Sequence, residues 1–266
     1  MPGLVVVLPA QENRDSMGLI DSVISIREIT YSAFDESGKI HTRMISSDKL
    51  ITFDVSGNIL EMLIYQKGRL YSTLVYDYNS EGHCAGFKEI DSKDRVYLIV
   101  NYEYGDDGWL KREIYDRSFQ KLYDDRRKEI DVEYHEYYKS LFTIVNYKYN
   151  ILNLVTEKEF LRSNGDIGFV HEFSYSIKRY VNRKTYLNES GDVSWYEKIK
   201  NNLAGWPVEV KRFEKSRLVS TKTITYETDA RGNWISREEI IEEPENIFGD
   251  PPKRTSEITI REIEYN

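Results

Sequence analysis

Apolar and polar residues alternate along most of the chain, in runs of roughly six to nine residues that end at glycine-containing turns. In the stretch 223–237, Ile224 and Tyr226 alternate with polar residues, and Asp229 and Gly232 then mark a reversal. An Asp at the start of a turn accepts hydrogen bonds from backbone N–H groups ahead of it, and Gly adopts positive φ at no steric cost. The stretch therefore predicts a β-hairpin.

The same turn recurs along the chain at nearly constant spacing. Gly57, Gly82 and Gly108 are 25 and 26 positions apart, and Gly165 and Gly191 are again 26 positions apart. Short strands joined by regularly spaced turns are typical of all-β proteins, and a longer fixed period indicates copies of one two-strand unit. We therefore predict an all-β fold: an elongated antiparallel meander or solenoid-like sheet of stacked β-hairpin repeats.

The repeats are interrupted by neither a low-complexity tract nor a clear linker, so residues 23–266 are predicted to form a single domain. Residues 1–22 are interpreted as the remnant of a signal peptide followed by a linker. The apolar run 3–10 fits the end of a signal peptide, although the basic segment that should precede it is missing. This interpretation favours an extracytoplasmic location (periplasmic, cell-surface or secreted); a buried first strand and a cytoplasmic location are the alternative.

The segment 116–149 departs from the repeat and admits two interpretations. Alternation at 130–134 and again at 142–149 favours two long strands. The apolar spacing within 118–128 also fits a short helix. Both interpretations stay open on the sequence.

Composition narrows the range of partners. A net charge of −8 without a concentrated Lys/Arg face excludes nucleic acid, because phosphate neutralisation supplies most of the non-specific affinity for it. Cys84 is the single cysteine, which excludes an intramolecular disulfide. No apolar run reaches the ~18 residues of a membrane-spanning helix. The 21 Tyr residues suit a sheet whose side chains are partly in contact with water.

The turn motif, an aromatic residue followed by Asp or Asn, two variable residues, Gly and a polar residue, resembles the YD repeats of the Rhs family. MORN-type β-hairpin repeats are a more distant resemblance. The motif stands at residues 34–39 (Phe-Asp-Glu-Ser-Gly-Lys), 53–58 (Phe-Asp-Val-Ser-Gly-Asn) and 78–83 (Tyr-Asn-Ser-Glu-Gly-His), and at 228–233 (Thr-Asp-Ala-Arg-Gly-Asn) with Thr in place of the aromatic residue. The resemblance implies a meandering or solenoid-like sheet in an exported or surface protein, used for enclosure or binding.

Three tryptophans are the predicted binding residues. Trp109 follows a turn glycine directly, Trp206 directly follows Gly205, and Trp234 stands two positions after its turn glycine. If the turns align along one edge of the sheet, these rings would form a platform for sugar rings or for the apolar surface of a protein. The alternative is a structural role, in which the three rings cover the apolar ends of the hairpins.

No metal or other cofactor is predicted, because the four histidines lack the spacing of metal ligands: His41, His83, His135 and His171. A glycosidase needs two carboxylates facing each other across a cleft. The sequence does not select a pair among its candidates, which are Glu113, Glu133, Glu157, Glu159, Glu172, Glu197, Glu209, Glu238 and Glu239.

The main hypothesis is a non-enzymatic binding or structural module with a carbohydrate or protein partner. A carbohydrate-active hydrolase using a Glu/Asp pair is one alternative. An immunity- or antitoxin-like protein that binds a basic partner through its acidic surface is another. The oligomeric state stays open.

Overall fold

The computed structural model describes residues 22–36, 39–116, 142–245 and 251–266, together with Met17 and Leu19. Sixteen strands are present in this part of the chain, which confirms the predicted all-β class. They are β1 (Val23–Glu36), β2 (Lys39–Phe53), β3 (Ile59–Gln66), β4 (Arg69–Tyr78), β5 (Cys84–Asp91), β6 (Val96–Tyr104), β7 (Leu110–Asp116) and β8 (Phe142–Tyr149). The second half contributes β9 (Val155–Arg162), β10 (Ile167–Tyr175), β11 (Val181–Leu187), β12 (Val193–Asn201), β13 (Pro207–Glu214), β14 (Arg217–Thr228), β15 (Trp234–Glu243) and β16 (Lys253–Tyr265).

The strands form one closed antiparallel barrel in which each strand pairs with its neighbours along the chain. β16 pairs with β1, from Val23 opposite Tyr265 to Phe34 opposite Thr255. The predicted open meander or solenoid is therefore wrong, because the two strands that would be its edges bond to each other and leave no edge exposed. The resemblance to YD and MORN repeats is wrong for the same reason, since it implied hairpins stacked in an open array.

Ten hairpins turn with the same backbone geometry. In each, the N–H of the first turn residue bonds the carbonyl of the fifth, and the N–H of the fourth bonds the carbonyl of the first. The fourth residue has positive φ in every case: Gly57, Gly82, Asp94, Gly108, Asn153, Gly165, Arg179, Gly191, Gly205 and Gly232. This is the three-residue hairpin loop with a bulge at its end. The turn predicted around Asp229 is among them, and its Oδ1 accepts from the N–H groups of Arg231 and Asn233.

The strand register separates the two faces of the barrel wall. One row of mutual partners across β6 to β9 is buried: Tyr102, Glu113, Val145 and Phe160. The next row is polar: Glu103, Arg112, Asn146 and Glu159. Because side chains alternate between the faces of a sheet, the buried row lines the inside of the barrel and the polar row the outside.

The inner face of β1 to β8 is tightly packed. Ile26, Ile51 and Met62 are register partners on three neighbouring strands, and each is at most 1% exposed. They belong to one apolar cluster that extends around the wall to Val145 and Phe160. Burying such side chains stabilises the fold by about 1.5–3 kcal/mol each.

Several sequence predictions fall outside the described residues. These are the signal-peptide interpretation of residues 1–10 and both interpretations of 117–141, whereas the strand predicted at 142–149 is β8. Among the residues that are described, no helix is long and apolar enough to cross a membrane.

Candidate functional site

A continuous row of ring side chains crosses the inner wall from β9 to β12. Phe160 stacks on Phe169 with 4.2 Å between ring centroids and lies 4.6 Å from His171. His171 meets the ring of Tyr186 at 4.3 Å, and Tyr186 stacks on Trp195 at 3.3 Å with 19° between the ring planes. His171, Tyr186 and Trp195 are direct register partners, so the row follows from the pairing of three strands.

Arg212 of β13 ends this row. Its guanidinium carbon lies 4.0 Å from the centre of the Trp195 ring, and Nη2 donates to Oε1 of Glu214 at 2.9 Å. A guanidinium over an indole face gains from the ring quadrupole. The Arg212 side chain is 38% exposed, so this end of the row is accessible to water.

The inner wall from β9 to β15 carries a group of charged side chains. By register and contacts, its inward cations include Lys158, Lys184, Arg212, Lys222 and Arg237, and its inward acids include Glu197, Glu214, Glu239 and Glu243. Lys222 and Arg237 are each 34% exposed. This part of the wall is therefore partly accessible and carries charges of both signs, in contrast to the packed inner face of β1 to β8.

His171 is an uncharged member of the row. Burial, helped by the positive charges of Lys158 and Lys184, lowers its pKa to about 4. The imidazole is therefore neutral at pH 7 and acts as a flat polar ring.

The three predicted tryptophans lie in two places. Trp206 contacts Tyr226 at 5.1 Å, and Tyr226 contacts Trp234 at 6.2 Å, so these two tryptophans are joined through one tyrosine. Trp234 is 6% exposed, and the guanidinium of Arg261 lies 3.4 Å from its ring centre. Trp109 packs instead against Tyr149 of β8, at 5.8 Å. Binding by these three residues stays a prediction.

A buried ion-pair cluster joins the first and last strands of the barrel. Arg261 of β16 donates to Glu28 of β1 at 2.7 Å, and Lys49 of β2 lies 2.6 Å from the same carboxylate. Burial raises the pKa of Glu28, but Lys49 and Arg261 outweigh it and hold the pKa below its ordinary value. The sequence offered no sign of this cluster, because Glu28 and Arg261 are 233 positions apart.

Among the candidate carboxylates, Glu113 is completely buried. Tyr115 donates to its Oε2 at 2.7 Å, and Tyr147 donates to Oε1. Burial raises the pKa of Glu113, while these two hydroxyls lower it. With both oxygens engaged away from water, Glu113 anchors the core. Glu133 lies outside the described residues.

Cys84 and the metal-ligand residues of the described part of the chain form no reactive site of their own. Burial raises the pKa of the Cys84 thiol to about 11, so the thiol stays protonated and poorly nucleophilic. In the described part of the chain, no group of three or more His, Cys, Asp or Glu side chains could hold a metal ion.

Comparisons with known proteins identify a similar fold for this chain but no family. No protein-family model matches it, and neither does any curated protein. Among solved structures it resembles a porin-like protein from Bacteroides uniformis, with a TM-score of 0.56 and 10% identity over 91% of this chain and 96% of that one. This likeness supports the closed barrel and not the YD-repeat resemblance.

Two further structures are similar at lower scores, which support no conclusion. One is the Photorhabdus luminescens Tc holotoxin pore, with a TM-score of 0.33 and 11% identity over 80% of this chain, which spans 14% of that chain. The other is a putative outer membrane lipoprotein-sorting protein domain from Vibrio parahaemolyticus, with a TM-score of 0.32 and 8% identity over 94% of this chain and 89% of that one.

Proposed function

We propose that the protein is a non-enzymatic binding barrel whose inner wall, between β9 and β15, binds a small amphipathic anion. One observation carries the proposal: the inner wall is packed and mostly apolar on β1 to β8, whereas on β9 to β15 it is partly accessible and combines a row of rings with cations beside them. Ligand sites of this kind combine flat apolar surface with a few convergent polar groups.

Different side chains of the inner wall would bind the apolar and the anionic parts of the ligand. The row of His171, Tyr186 and Trp195 offers ring edges and faces to the apolar part of a ligand. Lys184 and Arg212 lie beside that row, on either side of their common register partner Glu197, and we propose that they bind a carboxylate, sulfonate or phosphate group. Because the side chains are partly withdrawn from water, such a pairing is stronger than on an open surface.

The polar contacts on the outer wall favour the function of a binding protein over that of a pore embedded in lipid. Arg112 donates to Glu103 at 3.2 Å and to Asn146 at 3.1 Å, which joins three strands by polar contacts on the outer face. On the next strand, Lys148 donates to Glu159 at 2.8 Å. A lipid-facing wall carries apolar side chains at these positions. We therefore propose that the outer wall faces water.

An extracytoplasmic location is part of the proposal. It is supported by the apolar run 3–10, which fits the end of a signal peptide. N-terminal sequencing of the native protein tests it: a chain that begins near residue 11 is expected, and an intact Met1 or Pro2 would contradict export.

Anilinonaphthalene sulfonate, an aromatic sulfonate whose fluorescence rises in apolar surroundings, is a suitable probe. We expect saturable binding, and Lys184→Gln or Arg212→Gln should raise its Kd about tenfold, as for the loss of one charge-assisted hydrogen bond. Trp195→Ala should weaken binding by lost ring contact. Lys198→Gln is the matched control, because Lys198 lies on the outer face of the same strand as Trp195.

Two results would contradict the proposal. One is the absence of saturable binding by the folded protein, and the other is an equal loss of affinity in the Lys198→Gln control. Displacement of the probe by a neutral oligosaccharide would favour the carbohydrate partner that the tryptophan pattern predicts. Circular dichroism of each variant shows whether the barrel is intact.

A further inference from the structure

Seven of the hairpin turns lie at one end of the barrel, which we call the first end. They follow the even-numbered strands β2 to β14, and in an antiparallel barrel such turns share one rim. They are residues 54–58, 79–83, 105–109, 150–154, 176–180, 202–206 and 229–233. The start of β1 and the end of β16 are at the same rim, where the N–H of Asn266 bonds the carbonyl of Ser22 at 2.9 Å.

Charge divides this rim into two arcs. The first three turns form the acidic arc, which has no Lys or Arg and carries Asp54, Glu81, Asp106 and Asp107. The last four turns form the basic arc, whose cations are Lys178, Arg179 and Arg231. The one acid of the basic arc, Asp229, is engaged by its own turn and by the hydroxyl of Tyr265.

The basic arc also presents apolar side chains at its turn tips. Ile151 is 99% exposed, Ile177 is 104% exposed and Leu203 is 85% exposed, each at the second position of its turn. The three turns are neighbours around the rim. The hydroxyl of Tyr180 donates to the carbonyl of Leu203 at 3.3 Å, which ties two of them together. Turns separated by two strands stand about 10 Å apart, so the tips form a spaced row.

We propose that the basic arc docks on a membrane surface that contains anionic lipids, with the three apolar tips inserted among the headgroups. Large apolar side chains held in water at the tips of rigid turns gain free energy by entering the headgroup region. The cations of the same arc complement the negative surface, which would repel the acidic arc of the rim. Docking would therefore be oriented, with the basic arc toward the lipid.

The aromatic residues behind the tips fit the same surface. Tyr180 and Trp206 stand at the fifth positions of two of these turns, and both are partly exposed. Tyr and Trp favour the membrane interface, because the ring is apolar and the polar tip remains hydrated. The proposal is independent of ligand binding inside the barrel, since none of these residues belongs to the row of His171, Tyr186 and Trp195.

Co-sedimentation of the intact protein with vesicles tests the proposal. We expect binding to vesicles of phosphatidylcholine mixed with phosphatidylglycerol, weak binding to phosphatidylcholine alone, and loss of binding at high salt. The double variant Lys178→Glu/Arg179→Glu should lower the partition coefficient more than tenfold, because each cation near an anionic surface contributes about a factor of five. Ile177→Asp and Leu203→Asp should each lower it as well.

Val55→Asp is the matched control. Val55 is 95% exposed at the second position of its turn, but its turn belongs to the acidic arc. Binding should survive this change, and the tip variants should keep their affinity for anilinonaphthalene sulfonate. The proposal is overturned by no binding to either vesicle, by equal binding to both, or by an equal loss in Val55→Asp and Leu203→Asp. Capture by an acidic protein without vesicle binding would also overturn it.

Discussion

Closure of the barrel places a buried ion-pair cluster at the seam between β1 and β16, and its removal can be predicted in magnitude. Arg261 and Glu28 are 5% and 9% exposed, and Lys49 shares the Glu28 carboxylate at 2.6 Å. The two informative substitutions are Glu28→Gln and Arg261→Met. Each keeps most of the volume of the side chain while it removes one charge.

The two substitutions should differ in cost. Breaking a buried pair typically costs about 3–5 kcal/mol, because the remaining charge is left uncompensated. We expect about 3 kcal/mol for Glu28→Gln, since Lys49 and Arg261 would then both face a neutral amide. We expect about 1–2 kcal/mol for Arg261→Met, because Lys49 still neutralises Glu28 and the methionine packs in the vacated space.

The pH dependence of stability provides a second measurement. Because the folded pKa of Glu28 lies below its ordinary value of 4.5, its contribution is present at neutral pH and is lost as the pH falls through that lowered pKa. The stability difference between wild type and Glu28→Gln should therefore shrink on acidification. Urea unfolding followed by circular dichroism and tryptophan fluorescence measures both quantities, provided that the two signals coincide.

A Glu28→Gln protein as stable as wild type at neutral pH would refute the reasoning, and so would a larger cost for Arg261→Met than for Glu28→Gln. A cross-link tests the seam directly. The Oγ1 atoms of Thr30 and Thr259 are 3.0 Å apart across β1 and β16. In a Cys84→Ser background, the Thr30→Cys/Thr259→Cys protein should form an intramolecular disulfide, which an open sheet could not.

Two further predictions concern the wall. Gly86 has a φ of 146°, and a Cβ there would collide with the carbonyl oxygen of Val100, so Gly86→Ala should cost about 2–4 kcal/mol. Gly82→Ala is its control, because Gly82 also has positive φ but an open surrounding, and it should cost about 1 kcal/mol in the same unfolding assay. For Glu113, burial raises the folded pKa, so wild-type stability should fall as the pH rises from 4.5 through that raised value. Glu113→Gln should lack this decline, and unfolding midpoints that decline equally in both proteins would contradict the assignment.

The hairpins could be predicted because their turns are local. Asp229 and Gly232 determine one reversal through contacts within five residues, and the same chemistry recurs at Gly57 and Gly82. The turns at Asn153 and Arg179 were missed for a physical reason. Both residues adopt positive φ without being glycine, so the most visible marker of the turn was absent from the sequence.

The candidate site was not predicted, because no segment of the chain contains it. His171, Tyr186 and Trp195 lie on three strands and meet through register. The position next to a turn glycine pointed to Trp206 and Trp234, and in the structure both rings contact Tyr226. The same criterion does not select Trp195, because Trp195 lies within a strand and not next to a turn. Alternation alone would have placed Trp195 on one face, but the partner strands and their register were needed to assemble the row.

Local sequence determined the strands, the turns and the two-sided alternation of this protein, since each depends on backbone preferences within a few residues. The tertiary structure decided that the sheet closes, which face became the interior and which distant side chains share it. Closure depends on the twist and stagger accumulated over sixteen strands and on the gain from pairing two edges, and neither quantity is contained in any single hairpin.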